Sequence, residues 1–153
     1  MTAAEATSRP GRVAGVDLGQ KRIGLACSDS GRMLASPWGT VERSGDAVRD
    51  RRAVLTEIRE MEAVVVVVGL PLSLSGAAGP AAQAAAAEIE ALRTDLAPLG
   101  VDVVSADERF TTVEAQRSLR AAGRKGAPAR KVIDSAAATV LLQAWLERDR
   151  ARS

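Results

Sequence analysis

The spacing of apolar and polar positions changes character twice along this chain of 153 residues. Residues 12–18 form a short apolar run, a polar glycine-bearing turn follows at 19–22, and 23–28 is apolar again. Asp29-Ser30-Gly31 makes another turn before a third stretch at 33–38. Short apolar runs joined by polar turns of this length predict three antiparallel strands. The period then lengthens. Ser44 or Asp46 can cap a helix over 47–61, where Val48, Val54, Leu55, Ile58 and Met61 recur at helical spacing. Residues 63–68 contain five consecutive valines, which predicts a strand covered on both faces, as in a parallel sheet. Pro80 fits the first position of an Ala-rich helix that runs to about residue 96, and 101–106 reads as a fifth strand. The Thr111-x-x-Glu114 spacing is that of a capping box and predicts a helix to about residue 122. Residues 123–129, with two glycines and a proline, read as a mobile loop. Ile133, Ala136, Ala137, Val140, Leu141, Ala144 and Trp145 keep one buried face, which predicts a last helix over 133–145.

The element order is therefore β-β-β-α-β-α-β-α-α. It predicts an α/β fold with a five-stranded mixed sheet, three antiparallel strands and then two parallel ones, with helices on both faces. No internal repeat or linker divides the chain, so residues 12–150 read as a single domain with enough length to bury a substantial core. Residues 1–11 are small and polar and read as a disordered N-terminal tail. No apolar stretch approaches the roughly 20 residues of a membrane span. The single cysteine, Cys27, lies inside an apolar run and reads as a core residue. These features together place the chain in the cytoplasm.

Composition narrows the chemistry. The chain contains no histidine. That removes Ser-His-Asp and Cys-His catalysis, His-ligated zinc and histidine general bases together. Three aromatic residues, Trp38, Phe110 and Trp145, are too few for a surface that stacks unpaired bases. A net charge of +2 identifies no partner, but its distribution is informative. Arg117, Arg120, Arg124, Lys125, Arg130 and Lys131 follow one another with no acid between Glu114 and Asp134. Such a run can bind nucleic-acid phosphates, or it can be a solvated helix end.

What remains is carboxylate chemistry. Asp17 ends an apolar strand, Glu108 follows another, and Asp134 opens the Ala-rich last segment. A carboxylate at the end of a buried strand is costly unless it meets a cation or water. Three at similar element ends, converging on one edge of a sheet, point to a site for hard divalent cations, with Mg²⁺ (or Mn²⁺) as the natural occupant. In the first turn of its helix, Asp134 would be kept ionised by the helix N-terminus. Strand alternation does not choose between Asp107 and Glu108, because both faces of that strand carry apolar residues.

Four blocks carry a resemblance. Gly15-Val16-Asp17-Leu18-Gly19-Gln20-Lys21-Arg22-Ile23-Gly24-Leu25-Ala26 resembles the opening motif of the YqgF-type nucleases, described as Holliday-junction-resolvase-like proteins and as pre-16S ribosomal RNA nucleases. The blocks at 68–76, at 107–115 and at 131–138 agree in family order, over roughly residues 12–146. The one departure is Phe110, where the family often has leucine. The resemblance implies an RNase H-like fold, with Asp17, Glu108 and Asp134 as catalytic, metal-binding acids. Asp17 would bridge two metals roughly 3.5 to 4 Å apart in an in-line hydrolysis, with Glu108 and Asp134 holding one each. Lys21, Arg22, Arg109, Arg124, Lys125 and Lys131 are then candidates for substrate contact. The implied partner is nucleic acid, either structured RNA or branched DNA, and the family favours 5′-end processing of precursor 16S ribosomal RNA in ribosome biogenesis. A Holliday junction resolvase and a non-catalytic RNA-binding module stand as alternatives. Actin-like ATPases open on a similar strand and turn, but need two such domains. Monomer and homodimer are both open, with Trp38 near the third strand as the one hint of an interface.

Overall fold

A computed structural model describes residues 9–70, 79–107 and 127–152, with backbone alone for Asp107 and for 127–134. Strands β1 (Arg12–Leu18), β2 (Arg22–Ser28) and β3 (Ala35–Glu42) are followed by α1 (Ala47–Met61), β4 (Ala63–Leu70), α2 (Pro80–Leu96), β5 (Asp102–Asp107) and α3 (Ala127–Arg152). They build one five-stranded sheet in the order β3-β2-β1-β4-β5. The first three strands pair antiparallel, and β4 lies parallel to both β1 and β5. The central strand is therefore β1, and its C-terminal end shares an edge with those of β4 and β5.

The alternation of β1 sorts its side chains between two cores. Ala14 and Val16 pack with Val66, Val68 and Val103 under Val54, Ile58 and Met61 of α1 and Ile89, Leu92 and Leu96 of α2. Val13 packs with Val65 and Val67 under Ala138, Leu142 and Leu146 of α3. The valines of β4 serve both cores, as the uninterrupted run predicted. Gly15 lies on the α3 face. A Cβ built there would stand 2.8 Å from Leu142 Cβ and 3.0 Å from the Ala138 carbonyl oxygen, so the helix rests directly on strand backbone.

Several boundaries differ from the expectation, each for a local reason. The third strand starts at Ala35, because the Asp29 carboxylate accepts from the Met33 and Leu34 amides at 2.8 and 2.9 Å and carries the turn past them. It runs on to Glu42 through a register slip between Leu25 and Ala26, which leaves Trp38 as the extra residue of a bulge. On α1, Asp46 is the cap, accepting from the Val48 and Arg49 amides. Val48 is exposed, while Val54, Ile58 and Met61 are buried. Leu70 extends β4 by pairing with Asp107, and Val101 drops out of β5 because its amide closes back on the Leu96 carbonyl. The last helix begins at Ala127 and so takes in part of the expected loop at 123–129. Pro128 is at home in a first helical turn, where no amide donor is required. The expected helix from Thr111 to about residue 122 lies outside the described residues, as do residues 1–8. Arg9, within the expected tail, is paired to Asp102 at 3.0 Å.

Cys27 is buried in the core, and burial pushes its thiol above the ordinary range. Among the described residues no helix is long and apolar enough to cross a membrane.

Candidate active site

Asp17 sits one residue before the C-terminal end of β1, opposite Gly24 of β2. It follows Val13 and Gly15 in alternation, on the face that α3 covers. The chain reverses immediately after it. The Gly19 amide donates to the Asp17 carbonyl at 3.0 Å, and a Cβ on Gly19 would collide with the Arg22 carbonyl oxygen. Only glycine makes this turn without displacing the backbone. Asp17 is partly exposed and lines a cleft of about 520 Å³ with Leu18, Gly19, Gln20, Arg43, Ala81, Ala84, Ala85 and Glu88. The small alanines of α2 keep the cleft open on its far side.

The third expected acid reaches the same region by backbone. Asp134 precedes Ser135, whose buried hydroxyl donates to the Leu25 carbonyl at 3.2 Å. Leu25 pairs with Val16 and Gly24 with Asp17, so this part of α3 lies over the strand pair that carries Asp17. Asp134 is the eighth residue of its helix rather than part of the first turn. The expected help from the helix N-terminus therefore does not apply, since that field fades within one turn. Asp107 ends β5 opposite Leu70, at the same sheet edge. Glu108 lies outside the described residues, and among the described residues no three acids form a metal-ligating group.

The expected cations divide. Lys21 is exposed in the turn after Asp17. Arg22 is engaged, its Nε donating to Glu42 at 2.7 Å with the side chain 13% exposed. Lys131 belongs to α3 by backbone. Arg109, Arg124 and Lys125 lie outside the described residues.

Sequence reasoning missed Arg43 and Glu88. Arg43 Nε donates to the Gly19 carbonyl at 2.6 Å, and its two terminal nitrogens donate to the two Glu88 carboxylate oxygens at 3.2 Å each. Both residues line the cleft beside Asp17. Neither carries a local signal, because the contacts span 24 and 45 positions.

As for a metal, Asp17 offers a hard oxygen ligand, of the kind divalent cations take, at a strand end that opens to solvent.

The arrangement of strands in the order β3-β2-β1-β4-β5, with an acid at the end of the central one, is that of an RNase H-like fold. Solved structures agree at the level of fold. A Thermus thermophilus RuvC in complex with a Holliday junction substrate is 16% identical at a TM-score of 0.58, covering 93% of this chain and 95% of that one. The yeast mitochondrial Holliday junction resolvase Ydc2 is 12% identical at a TM-score of 0.60, covering 95% and 82%. In sequence the likeness is much closer. The family described as "RuvX: Holliday junction resolvase" matches residues 11–148, and the chain belongs to that family. A relative from Mycobacterium sp. (strain KMS), named "Putative pre-16S rRNA nuclease", is 48% identical over 92% of this chain and 82% of its own length. One of the same name from Mycobacterium tuberculosis (strain ATCC 25177 / H37Ra) is 48% identical over 90% and 79%.

Proposed function

We propose that this chain is a metal-dependent endonuclease that hydrolyses phosphodiester bonds, and that its substrate is precursor 16S ribosomal RNA, processed at the 5′ end during ribosome biogenesis in the cytoplasm. The observation that carries the reading is the position of Asp17. It is a partly exposed carboxylate at the end of the central strand, on the face that α3 covers. The RNA substrate is supported by the name of relatives 48% identical over most of the chain.

In this reading Asp17, Glu108 and Asp134 hold the metal, Mg²⁺ or Mn²⁺. The parity of β5 favours Glu108 over Asp107 as the middle ligand. Val104 and Ala106 join the core beneath α3 while Val103 joins the opposite one, and the next even position in the sequence is Glu108. A bound pair of cations supplies an activated water and charge stabilisation at the leaving oxygen. The protein's own part is to hold anionic oxygens together at a cost in mutual repulsion that a bound cation relieves. In this reading Lys21, exposed in the turn after Asp17, meets a backbone phosphate, and Arg22, Arg109, Arg124, Lys125 and Lys131 are the further candidates for contact.

A branched DNA junction is the second reading, favoured by the description of the family itself. One assay separates the two. Wild type, Asp17→Asn, Glu108→Gln, Asp134→Asn and Asp107→Asn are incubated with precursor rRNA and with four-way DNA junctions in Mg²⁺ or Mn²⁺. Cleavage of the RNA is expected from wild type, with losses of about 100-fold or more in the first three variants and a smaller loss in Asp107→Asn. Cleavage by all variants at the wild-type rate would end the proposal. Binding of RNA without cleavage would identify a non-catalytic module, and cleavage of the junction alone would transfer the activity to DNA.

A further inference from the structure

The segment from Gly19 to Lys21 reverses the chain directly after Asp17, and two atoms of one residue outside that turn hold it. The Arg43 backbone amide donates to the Lys21 carbonyl at 3.0 Å, and its Nε donates to the Gly19 carbonyl at 2.6 Å. Arg43 follows directly on β3, two strands away from β1 in the sheet. The remaining guanidinium nitrogens form a two-pronged pair with Glu88 on α2. The guanidinium therefore spans the cleft, from the turn on one wall to the helix on the other. Its own backbone is fixed in turn: the next residue, Ser44, donates to Asp50 of α1 from its amide at 3.1 Å and from its hydroxyl at 2.7 Å.

We propose that Arg43 is a positioning residue for the metal site, holding the turn after Asp17 against α2 through the Gly19 carbonyl and Glu88. The inference rests on the metal-dependent reading of Asp17 given above. Its physical basis is directional. An arginine fork bonded at both ends fixes distance and orientation together, which a single ammonium cannot do. The Gly19 amide bonds the Asp17 carbonyl, so slack at Gly19 passes one hydrogen bond later to the residue that would bind the cation. A partner bonded directly to a metal ligand typically governs affinity by about 10- to 100-fold; Arg43 reaches the Asp17 backbone, through Gly19, and not its carboxylate, so the lower end of that range applies. The guanidinium stands partly shielded, its side chain 22% exposed against 32% for Glu88, so the pair is screened less than a fully solvated one.

The test measures Mn²⁺ binding to the folded protein by calorimetry, without nucleic acid, beside the Mn²⁺ concentration that half-saturates cleavage. Arg43→Ala is expected to weaken Mn²⁺ binding by about 10-fold, with a parallel rise in the half-saturating concentration. Glu88→Gln, which keeps the fork's partner but not its charge, is expected to shift both by about twofold to fivefold. Arg43→Lys should recover part of the Arg43→Ala loss by reaching Gly19 alone. A purely structural role would lower the folded fraction in a melt and leave the Mn²⁺ affinity of the folded protein at its wild-type value, which would overturn the inference. Should Arg43→Ala fail to melt cooperatively, wild-type affinity in Glu88→Gln and Arg43→Lys overturns it equally. Wild-type protein that binds no Mn²⁺ at all overturns the metal reading underneath, and this inference falls with it.

Discussion

A buried carboxylate must be answered by donors, and Asp50, only 5% exposed, is answered by the Ser44 hydroxyl and amide. Those hydrogen bonds, led by the hydroxyl and helped by the charges of Arg43 and Arg49, hold its carboxyl below the ordinary range against the opposing effect of burial. The sign of the linkage follows. The folded state binds this proton less readily than the unfolded chain, so the stabilisation is complete above the unfolded pKa and is lost as pH falls through the folded one. Asp50→Asn is therefore expected to lower the melting temperature near neutral pH. Its deficit should shrink as the pH drops below about 4, where the wild-type carboxyl begins to protonate in the unfolded chain. Melts of both proteins between neutral pH and about pH 3 check this, and a deficit constant across that span would contradict it. At the same scale, Asp17 is a residue whose importance the chain itself declares, since an acid that ends an apolar strand calls for a counter-charge. Arg43 declares nothing, because what it does depends on two partners far away in sequence.

At the level of elements, the seam between β1 and α3 is the most demanding contact described. Gly15 admits Leu142 and the Ala138 carbonyl to distances no methyl could share. Gly15→Ala should therefore cost about 1–3 kcal/mol in unfolding free energy, the usual penalty of overpacking, read from the denaturation midpoint at unchanged slope. The same level shows what patterning could and could not convey. Strand β1 and helix α1 fall where periodicity put them, since each is decided by its own apolar face. The start of β3 was not legible, because the Asp29 side chain captures the Met33 and Leu34 amides and no apolar count registers such a capture. Nor was the start of α3, where glycine and proline announce a break whether a helix is ending or beginning. Asp134 consequently lies deeper in its helix than its sequence neighbours implied. The choice between Asp107 and Glu108 also lay beyond the sequence, for lack of knowledge about which core each face of β5 would join. Val103 packs on one side and Val104 with Ala106 on the other, which supports the proposed assignment of Glu108.

For the molecule as a whole, the proposed site, drawn from β1, the end of β5 and α3, would couple cation binding to folding. A ligand held only by the native arrangement adds stability in proportion to the logarithm of its concentration over its Kd, about 2.7 kcal/mol at a hundredfold excess. Mn²⁺ should accordingly raise the melting temperature of wild-type protein, EDTA should reverse the rise, and Asp17→Asn should show neither response. A shift of the same size in Asp17→Asn would assign the cation to some other place. The seam at Gly15 bears on this in a way that stability alone does not capture. With no side chain on Gly15, the strand backbone meets Leu142 Cβ and the Ala138 carbonyl oxygen directly, and neither can move aside by changing a rotamer. A methyl inserted there acts as a wedge two residues upstream of Asp17, so Gly15→Ala protein that still folds should accept the larger Mn²⁺ more readily than Mg²⁺. The ionic radius the proposed site tolerates would then be written in a missing carbon atom.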